Sequence, residues 1–433
     1  MSALPFSLLP ATARADDHGH LTVGGCNLVE LASEFGTPLF VYDEHHLRLR
    51  AREAVSAFGD GAVYASKAFL CAAMARLVHE EGMRIDVATG GELYIALAAG
   101  VPASQLVLHG NNKSEAELVM ALEAGVGRVV LDGFEDIERI ERIVGDGAPA
   151  PDVLVRVTPG VEAHTHEYVA TGQDDSKFGF TVSTGAAEEA IRRVSTSGRM
   201  RLRGIHAHIG SQVFRAQSYA DALGVLAAFA APHQLEELCI GGGLGVAYVE
   251  GESAPTLTEW AEVLRREMAR HGLEARLSVE PGRAIVAAAA VTLYTVGAIK
   301  EIPGIRTYVA VDGGMSDNPR PVLYGSGYET FLPRAVEAPR PRPVRVVGKH
   351  CESGDVLVPA GAVPADIAVG DVLATPVTGA YGHSMGSNYN KVLRPAVVFV
   401  ADGRARMVVR RETYQDLLAT DMVAPSGSPG RVP

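Results

Sequence analysis

From about residue 62 the chain alternates between two hydrophobic patterns. Short β-rich runs give way to longer runs in which apolar residues recur every three or four positions. The short runs are Ala62–Lys67, Arg84–Ala88, Leu106–His109, Arg128–Leu131, Asp152–Thr158, Leu202–Ile209, Leu238–Gly241 and Leu277–Glu280. Each predicts a strand. The longer runs predict helices. Phe69–Glu81 sets Leu70, Met74, Leu77 and Val78 on one stripe. Ser114–Ala124 opens on Ser114 with Glu117 three residues on, the pattern of a capping box. Thr258–His271 is stopped by Gly272. Eight strands alternating with helices predict a parallel (β/α)8 TIM-like barrel over residues 45–288. A doubly wound open sheet shares the alternation and is the second reading.

After residue 290 the pattern changes. Val291–Lys300, Thr307–Asp312, Val344–His350, Asp371–Pro376 and Ala396–Arg410 predict strands punctuated by Gly and Pro. They form a β domain, a barrel or sandwich, over residues 289–423. Residues 21–44 join it, since Pro38–Tyr42 also reads as a strand. The Pro/Gly/Ser-rich segment 424–433 reads as a disordered tail.

Composition narrows the function. The 433 residues are 47% hydrophobic and 21% charged, as in a globular enzyme. The net charge of −12 disfavours nucleic acid and anionic membranes as partners. The longest uncharged run, Ala284–Ile299, is too short and mixed to span a bilayer. The first basic residue is Arg14, so the N-terminus lacks the charged start of a secretory signal. Cys26, Cys71, Cys239 and Cys351 show no metal or redox spacing. A reduced, cytoplasmic enzyme of small molecules, without a metal, is expected.

In such a barrel the strand C-termini open on one mouth. Polar residues stand at seven of the eight predicted ends. Lys67 follows an apolar strand; it is either a solvent-exposed strand end or a Schiff-base amine whose lone pair desolvation has freed. Strand two carries Asp86, strand three ends in His109-Gly110-Asn111-Asn112, and strand five carries Arg156. Gly241–Gly245 is either a flexible turn or a backbone cradle for an anion that Ser211 and Arg283 complete. His206 and His208 form an H-x-H, read as a metal pair, as one ring stacked on a planar cofactor, or as a core histidine. Glu280 ends an apolar strand and needs a partner, either a protonated heteroaromatic nitrogen or an arginine. A lysine, an anion cradle, a stackable ring and a buried carboxylate together describe a pyridoxal 5′-phosphate (PLP) site.

The motifs that carry a resemblance run in order over residues 38–415. They include Tyr64-Ala65-Ser66-Lys67-Ala68, His109-Gly110-Asn111-Asn112-Lys113-Ser114, Ser176-Lys177-Phe178-Gly179 and His206-Ala207-His208-Ile209-Gly210-Ser211-Gln212. Gly241–Gly245, Glu280-Pro281-Gly282-Arg283, Gly314-Met315-Ser316-Asp317, Cys351-Glu352-Ser353-Gly354-Asp355 and Gly379-Ala380-Tyr381 complete the set. The chain resembles the alanine-racemase-like, barrel-type PLP enzymes, and within them the diaminopimelate decarboxylases. The resemblance implies that Lys67 holds PLP covalently, His208 stacks on its ring and Glu280 pairs with the ring nitrogen. It implies a phosphate site from Ser211, Gly241, Gly242, Gly243, Arg283 and Tyr381, with Asp86, Pro281 and Gly282 among the cofactor contacts. Arg283, Arg320, Tyr324 and Tyr381 are similar to the family's substrate contacts; Glu352 takes the distal amine and Cys351 is the general acid. The Cys351–Asp355 loop is implied to enter a partner subunit's site, making a homodimer with shared active sites. His383, just beyond Tyr381, either touches the site or faces solvent, and solvent is the favoured reading.

The implied reaction is decarboxylation of meso-2,6-diaminopimelate to L-lysine and CO2. The alternative on the same fold is a decarboxylase of ornithine, arginine or a carrier-bound glutamyl group. Arg320 and Glu352 carry the signs that a distal carboxylate and amine require, which favours the first. A racemase, a PLP-binding regulator and a metal hydrolase using His206 and His208 are the further readings.

Overall fold

The computed structural model describes residues 3–145, 147–160 and 175–422. The tail 424–433 lies outside the described residues, as does the part of the segment 164–177 that precedes residue 175.

Eight barrel strands form: Val63–Ala65, Arg84–Val87, Leu106–Leu108, Arg128–Leu131, Asp152–Thr158, Arg201–His206, Glu237–Cys239 and Arg276–Ser278. Each pairs in parallel with its neighbours in chain order. The last meets the first. Ala62 bridges Val279, and the Val63 N–H donates to the Val279 carbonyl at 3.0 Å. This closure sets aside the open doubly wound sheet.

Because side chains alternate along a strand, one set points out to the helices and the other into the barrel. The outward set, including Tyr64, Ile85, Val129, Val155, Ile205 and Val279, joins the main core. The inward set is layered. Val63, Val107, Val130, Leu154 and Cys239 form a small apolar cluster of their own at mid-height. Below it lies an ionic floor. Arg128 pairs with Asp152 at 2.9 Å and Glu237 at 3.3 Å, and Arg276 also pairs with Glu237. Above it stand Asp86, His109, Arg156, His206 and Glu280, all buried.

The strands are shorter at their C-terminal ends than the hydrophobic pattern predicts. Ser66–Ala68 is a 3-10 turn, and Gly241 and Glu280 lie beyond their strands. There the chain leaves the ladder to line the mouth. Helix Glu115–Ala124 has the Ser114/Glu117 capping box. The helix predicted from Thr258 begins at Leu257, capped by Thr256 and Glu259. The helix predicted from Phe69 begins only at Ala72. Phe69 is extended instead, because its ring stacks on Tyr42 at 4.4 Å.

The second sheet runs in the order Val356–Val363, Arg342–Val347, Arg306–Val311, Ala290–Ile302, Leu39–Asp43, Ala396–Ala401 and Arg404–Val409; Val372–Pro376 also pairs with Ala290–Ile302. The predicted strand Ala396–Arg410 is thus two, reversing at Asp402-Gly403, both with positive φ. Val356–Val363 and a small N-terminal sheet of Arg14–Ala15, Leu21–Val23 and Cys26–Asn27 were not apparent from the hydrophobic pattern. Among the described residues, no helix is long and apolar enough to cross a membrane.

This sheet grips the turn that bears Lys67. The Tyr381 N–H and the Ser384 hydroxyl donate to the Ala68 carbonyl at 2.8 and 3.0 Å. The Tyr64 hydroxyl donates to the Phe69 carbonyl at 2.6 Å. His383 does not simply face solvent. Its ring meets Phe40 and Phe69 edge-on, at 5.9 and 5.6 Å. Burial lowers its pKa to about 4, with the nearby Arg394 charge adding to the effect.

That shift has a signed consequence. An unfolded histidine takes up its proton near pH 6.5, whereas folded His383 resists until about pH 4. Stability from this group is complete above pH 6.5 and is lost as pH falls towards 4, by on the order of 2–3 kcal/mol. His383→Phe is expected to flatten the acid limb of a melting-temperature profile. Parallel native and variant profiles between pH 7 and 4 would contradict this origin.

Candidate active site

The strand C-termini enclose a cavity of about 430 Å³. Lys67, Asp86, His109, Arg156, His206, His208, Ser211, Gly242, Gly243, Glu280, Pro281, Gly282, Arg283 and Tyr381 line it. A second cavity of about 230 Å³ shares Ser211, Arg283 and Tyr381 with it and adds Arg320, Tyr324 and Met385.

Lys67 is exposed, and it lines the first cavity. Its pKa corrects the expectation that desolvation would free its lone pair. Burial does push the amine down, but Tyr381, Asp86 and Glu280 outweigh it, and the net shift is upward. Asp86, buried and close to Glu280, is pushed up to about 6, although His109 and Lys67 pull the other way.

Glu280 lies at the base of the cavity. His109 Nε2 is 2.9 Å from its Oε1 and His206 Nε2 is 2.9 Å from its Oε2. Burial alone would favour the neutral acid. The two imidazoles overcome it and hold the carboxyl well below its ordinary range. His206 and His208 therefore do not act as a pair. His208 turns instead to the glycine loop, where its Nδ1 accepts the Gly242 N–H at 3.2 Å. Burial, with Lys67 and Arg156 nearby, holds His208 well below its usual pKa. The neutral ring then carries its hydrogen on Nε2.

The glycine loop is a tight turn. A Cβ on Gly243, at φ +97°, would stand 1.9 Å from the Gly210 carbonyl oxygen. A Cβ on Gly241, at φ +65°, would strike the Ala207 carbonyl and the His208 ring, both at 2.7 Å. Only glycine lets this backbone approach the cavity so closely.

Two arginines define the charge of the mouth. Arg283 is 8% exposed and Arg320 is 3% exposed. Arg283 donates to the Tyr248 hydroxyl at 2.8 Å and to Ser211 Oγ at 2.9 Å, and lies 4.8 Å from the Tyr381 ring centroid. Arg320 donates to the Tyr328 hydroxyl at 2.6 Å and lies 4.3 Å from the Tyr248 ring centroid. Among the described residues neither has a carboxylate partner, and the buried Nε atom of each has no hydrogen-bond partner. A buried guanidinium without a counter-charge is costly. Such a pair is suited to anions brought in by ligands. Tyr381 holds its place over Arg283 at φ +61°, an uncommon conformation for a tyrosine.

Cys351 and Glu352 are not brought to either cavity. They are exposed on the loop between Arg342–Val347 and Val356–Val363. The loop itself is well anchored. Buried Asp355 accepts the Met315 and His350 N–H groups at 2.7 and 2.9 Å, and Asn390 Oδ1 accepts the Cys351 N–H at 3.1 Å.

Sequence reasoning gave no role to His109, Arg156, Tyr248 and Tyr328. For the first two the signal was present, as each sits at an inward-facing strand end. Arg156 pairs with Asp132 at 3.1 Å and lies 4.3 Å from the Phe178 ring centroid. For Tyr248 and Tyr328, which lie outside regular elements and far apart in sequence, there was none.

Comparison with known proteins agrees with this chemistry. Residues 44–287 match the family model for the pyridoxal binding domain of pyridoxal-dependent decarboxylases. The diaminopimelate decarboxylase of Mycobacterium tuberculosis is 46% identical, covering 95% of this chain and 97% of that protein. The diaminopimelate decarboxylase of Bacillus subtilis is 45% identical, covering 97% and 99%. The crystal structure of diaminopimelate decarboxylase from M. jannaschii with L-lysine superimposes with a TM-score of 0.89 at 32% identity, covering 96% of this chain and 98% of that one. Barrel, cavity and matches define a pyridoxal-dependent decarboxylase. Within that class, the chain belongs to the diaminopimelate decarboxylase family.

The unpaired arginines yield a stability prediction. Arg320→Met replaces a buried charge by an apolar side chain of similar length. In the ligand-free protein the melting temperature is expected to stay level or rise. A fall of several degrees would mean that the tyrosine contacts outweigh the cost of burial.

Proposed function

We propose that this enzyme decarboxylates meso-2,6-diaminopimelate to L-lysine and CO2, using PLP held in the Lys67 cavity. The observation that carries this reading is the pair of buried, carboxylate-free arginines beside a cavity lysine. Arg283 suits the cofactor phosphate and Arg320 a second carboxylate. Ornithine has no distal carboxylate to offer Arg320, which disfavours that alternative. L-lysine in the related M. jannaschii enzyme supports the product.

The cavity fits PLP in volume, in its lysine, in its glycine cradle and in its anion-seeking arginine. When bound, PLP supplies an electron sink for the pair left behind as CO2 departs. Lys67 would hold the cofactor, His208, fixed by Gly242, would stack on its ring, and Glu280 would pair with the ring nitrogen. Ser211, the Gly241–Gly243 turn, Arg283 and Tyr381 surround the phosphate, while Asp86, Pro281 and Gly282 complete the wall. Arg320 and Tyr324, with Arg283 and Tyr381, orient the substrate from the second cavity.

Each chain holds Cys351 and Glu352 out on its surface, away from its own two cavities. A second copy supplies the proton donor in our reading. Cys351 of one protomer protonates the reacting carbon in the other's site, and Glu352 binds the distal amine. Exposed Val322 and Leu323, on the helix that carries Arg320, offer apolar surface beside the mouth. The reading is of a cytoplasmic homodimer.

CO2 and L-lysine release from meso-diaminopimelate tests the reaction, and Lys67→Ala is expected to abolish it. Mixing Lys67→Ala with Cys351→Ala tests the shared site. Neither variant is active alone, and random re-pairing is expected to restore about a quarter of native activity. No recovery from dimers shown to have exchanged would remove the shared-site reading.

A further inference from the structure

Glu280 poses a problem that its own position does not solve. It is 7% exposed and sits directly above the apolar middle layer of the barrel. A carboxyl group in such a place tends to take up a proton. A neutral acid cannot balance a protonated pyridine nitrogen. Something must hold the charge on the oxygens.

His109 and His206 meet that need together. His206 Nε2 is hydrogen-bonded to Oε2 at 2.9 Å, whereas His109 Nε2 lies 2.9 Å from Oε1 as an ion-pair contact without hydrogen-bond geometry. Their rings meet edge to face, with centroids 5.0 Å apart. His109 is 7% exposed and His206 is 1% exposed. His206 Nδ1 has no hydrogen-bond partner among the described residues. That suits a neutral ring whose single hydrogen is on Nε2, pointing at the carboxylate. From below, the Cys239 thiol approaches Oε1 at 3.5 Å. Each carboxylate oxygen accepts about two hydrogen bonds. Oε2, approached by His206 alone, therefore keeps one accepting position open.

The surrounding charges are consistent. Asp86 faces the group from the second barrel strand, Lys67 from the turn after the first, Arg156 from the fifth and His208 from beyond the sixth. Arg156 is already matched by Asp132. Burial opposes a charge on His109, but Glu280 and Asp86 raise its pKa, whereas burial lowers that of His206. The charged form is thus favoured on His109 and disfavoured on His206.

We infer that His109 and His206 are positioning residues that keep Glu280 ionised and aimed, and so set the protonation state of the cofactor's pyridine nitrogen. This rests on the reading that Glu280 faces that nitrogen. The chemistry is one of proton affinity alone. With both histidines beside Glu280 the proton stays on the ring nitrogen, and without them it is shared with the carboxyl or lost.

The test is 15N NMR of the holoenzyme loaded with PLP labelled at the ring nitrogen, followed across pH. Native enzyme is expected to show the pyridinium signal through neutral pH. His109→Leu with His206→Leu is expected to show the neutral pyridine signal, with at least tenfold weaker PLP binding. Retention of the pyridinium signal would overturn the inference. Should the leucine variant fail to fold, His109→Gln and His206→Gln keep a neutral N–H donor in a polar side chain. For His109→Gln the carboxyl loses its ion-pair partner, Glu280 takes up a proton more readily, and the ring-nitrogen pKa is expected to fall by about one unit or more. An unchanged value there would equally overturn it. Glu280→Gln separates the two levels. If it too keeps the pyridinium, the placement of Glu280 itself has failed; if only the histidine variants keep it, the inference alone has failed. Stoichiometric zinc displaced by PLP from the native protein would also overturn it, since the His109, His206 and Glu280 atoms lie close enough to one another to hold an ion.

Discussion

Closing eight strands into a barrel forces every second side chain inward, where no helix can cover it and little water can reach it. That constraint orders the whole molecule. The floor is made of charged residues, so they pair with one another. The middle is apolar and seals the barrel. The top is polar, and its members find partners chiefly across the mouth, as Glu280 does with His109 from the third strand and His206 from the sixth. A buried carboxylate held by two imidazoles is thus a product of barrel closure, in which strands far apart in the sequence face one another.

The barrel alone does not finish the site. The turn with Lys67 at its centre is short and lies outside the ladder. Its shape is set by the second sheet, through the stacking of Phe69 on Tyr42 and the bonds from Tyr381 and Ser384 to Ala68. The same segment that places the Tyr381 ring over Arg283 thereby fixes the lysine across the cavity. Cofactor-facing and fold-stabilising contacts are shared here. This explains why Tyr381 is held in a left-handed backbone conformation, where a tyrosine is rarely found.

The two arginines show the opposite balance. Their tyrosine partners orient them but do not neutralise them. Apolar side chains there would suit stability as well or better. A site that must take up two kinds of anion keeps these charges ready, so recognition is favoured over stability. The loop with Cys351 follows a related logic. Asp355 and Asn390 hold it in place, yet its two chemically active side chains point away from the chain's own cavities.

Much of this was legible beforehand. The eight barrel strands stand out because a strand buried on both faces reads as a compact apolar run between glycines. Lys67, His208, Glu280 and Arg283 were legible because they stand at the ends of such runs, and their order matched a known family. The sheet that grips Lys67 was less so. Val356–Val363 escaped notice and Ala396–Arg410 was read as one strand, because half-buried antiparallel strands alternate weakly and a two-residue turn hardly interrupts the pattern. His383 was misplaced because nothing local reveals that Phe40 and Phe69 converge on it. The sequence by itself therefore determined the barrel, the family and which side chains carry the chemistry, since these follow from local periodicity and residue type. Only the tertiary structure decided the partners of those side chains: that Tyr381, Asp86 and Glu280 shift the Lys67 amine upward, that His206 bonds Glu280 and does not pair with His208, and that Arg283 and Arg320 lie buried with no carboxylate partner among the described residues. Burial and charge pairing depend on what the fold brings from distant parts of the chain.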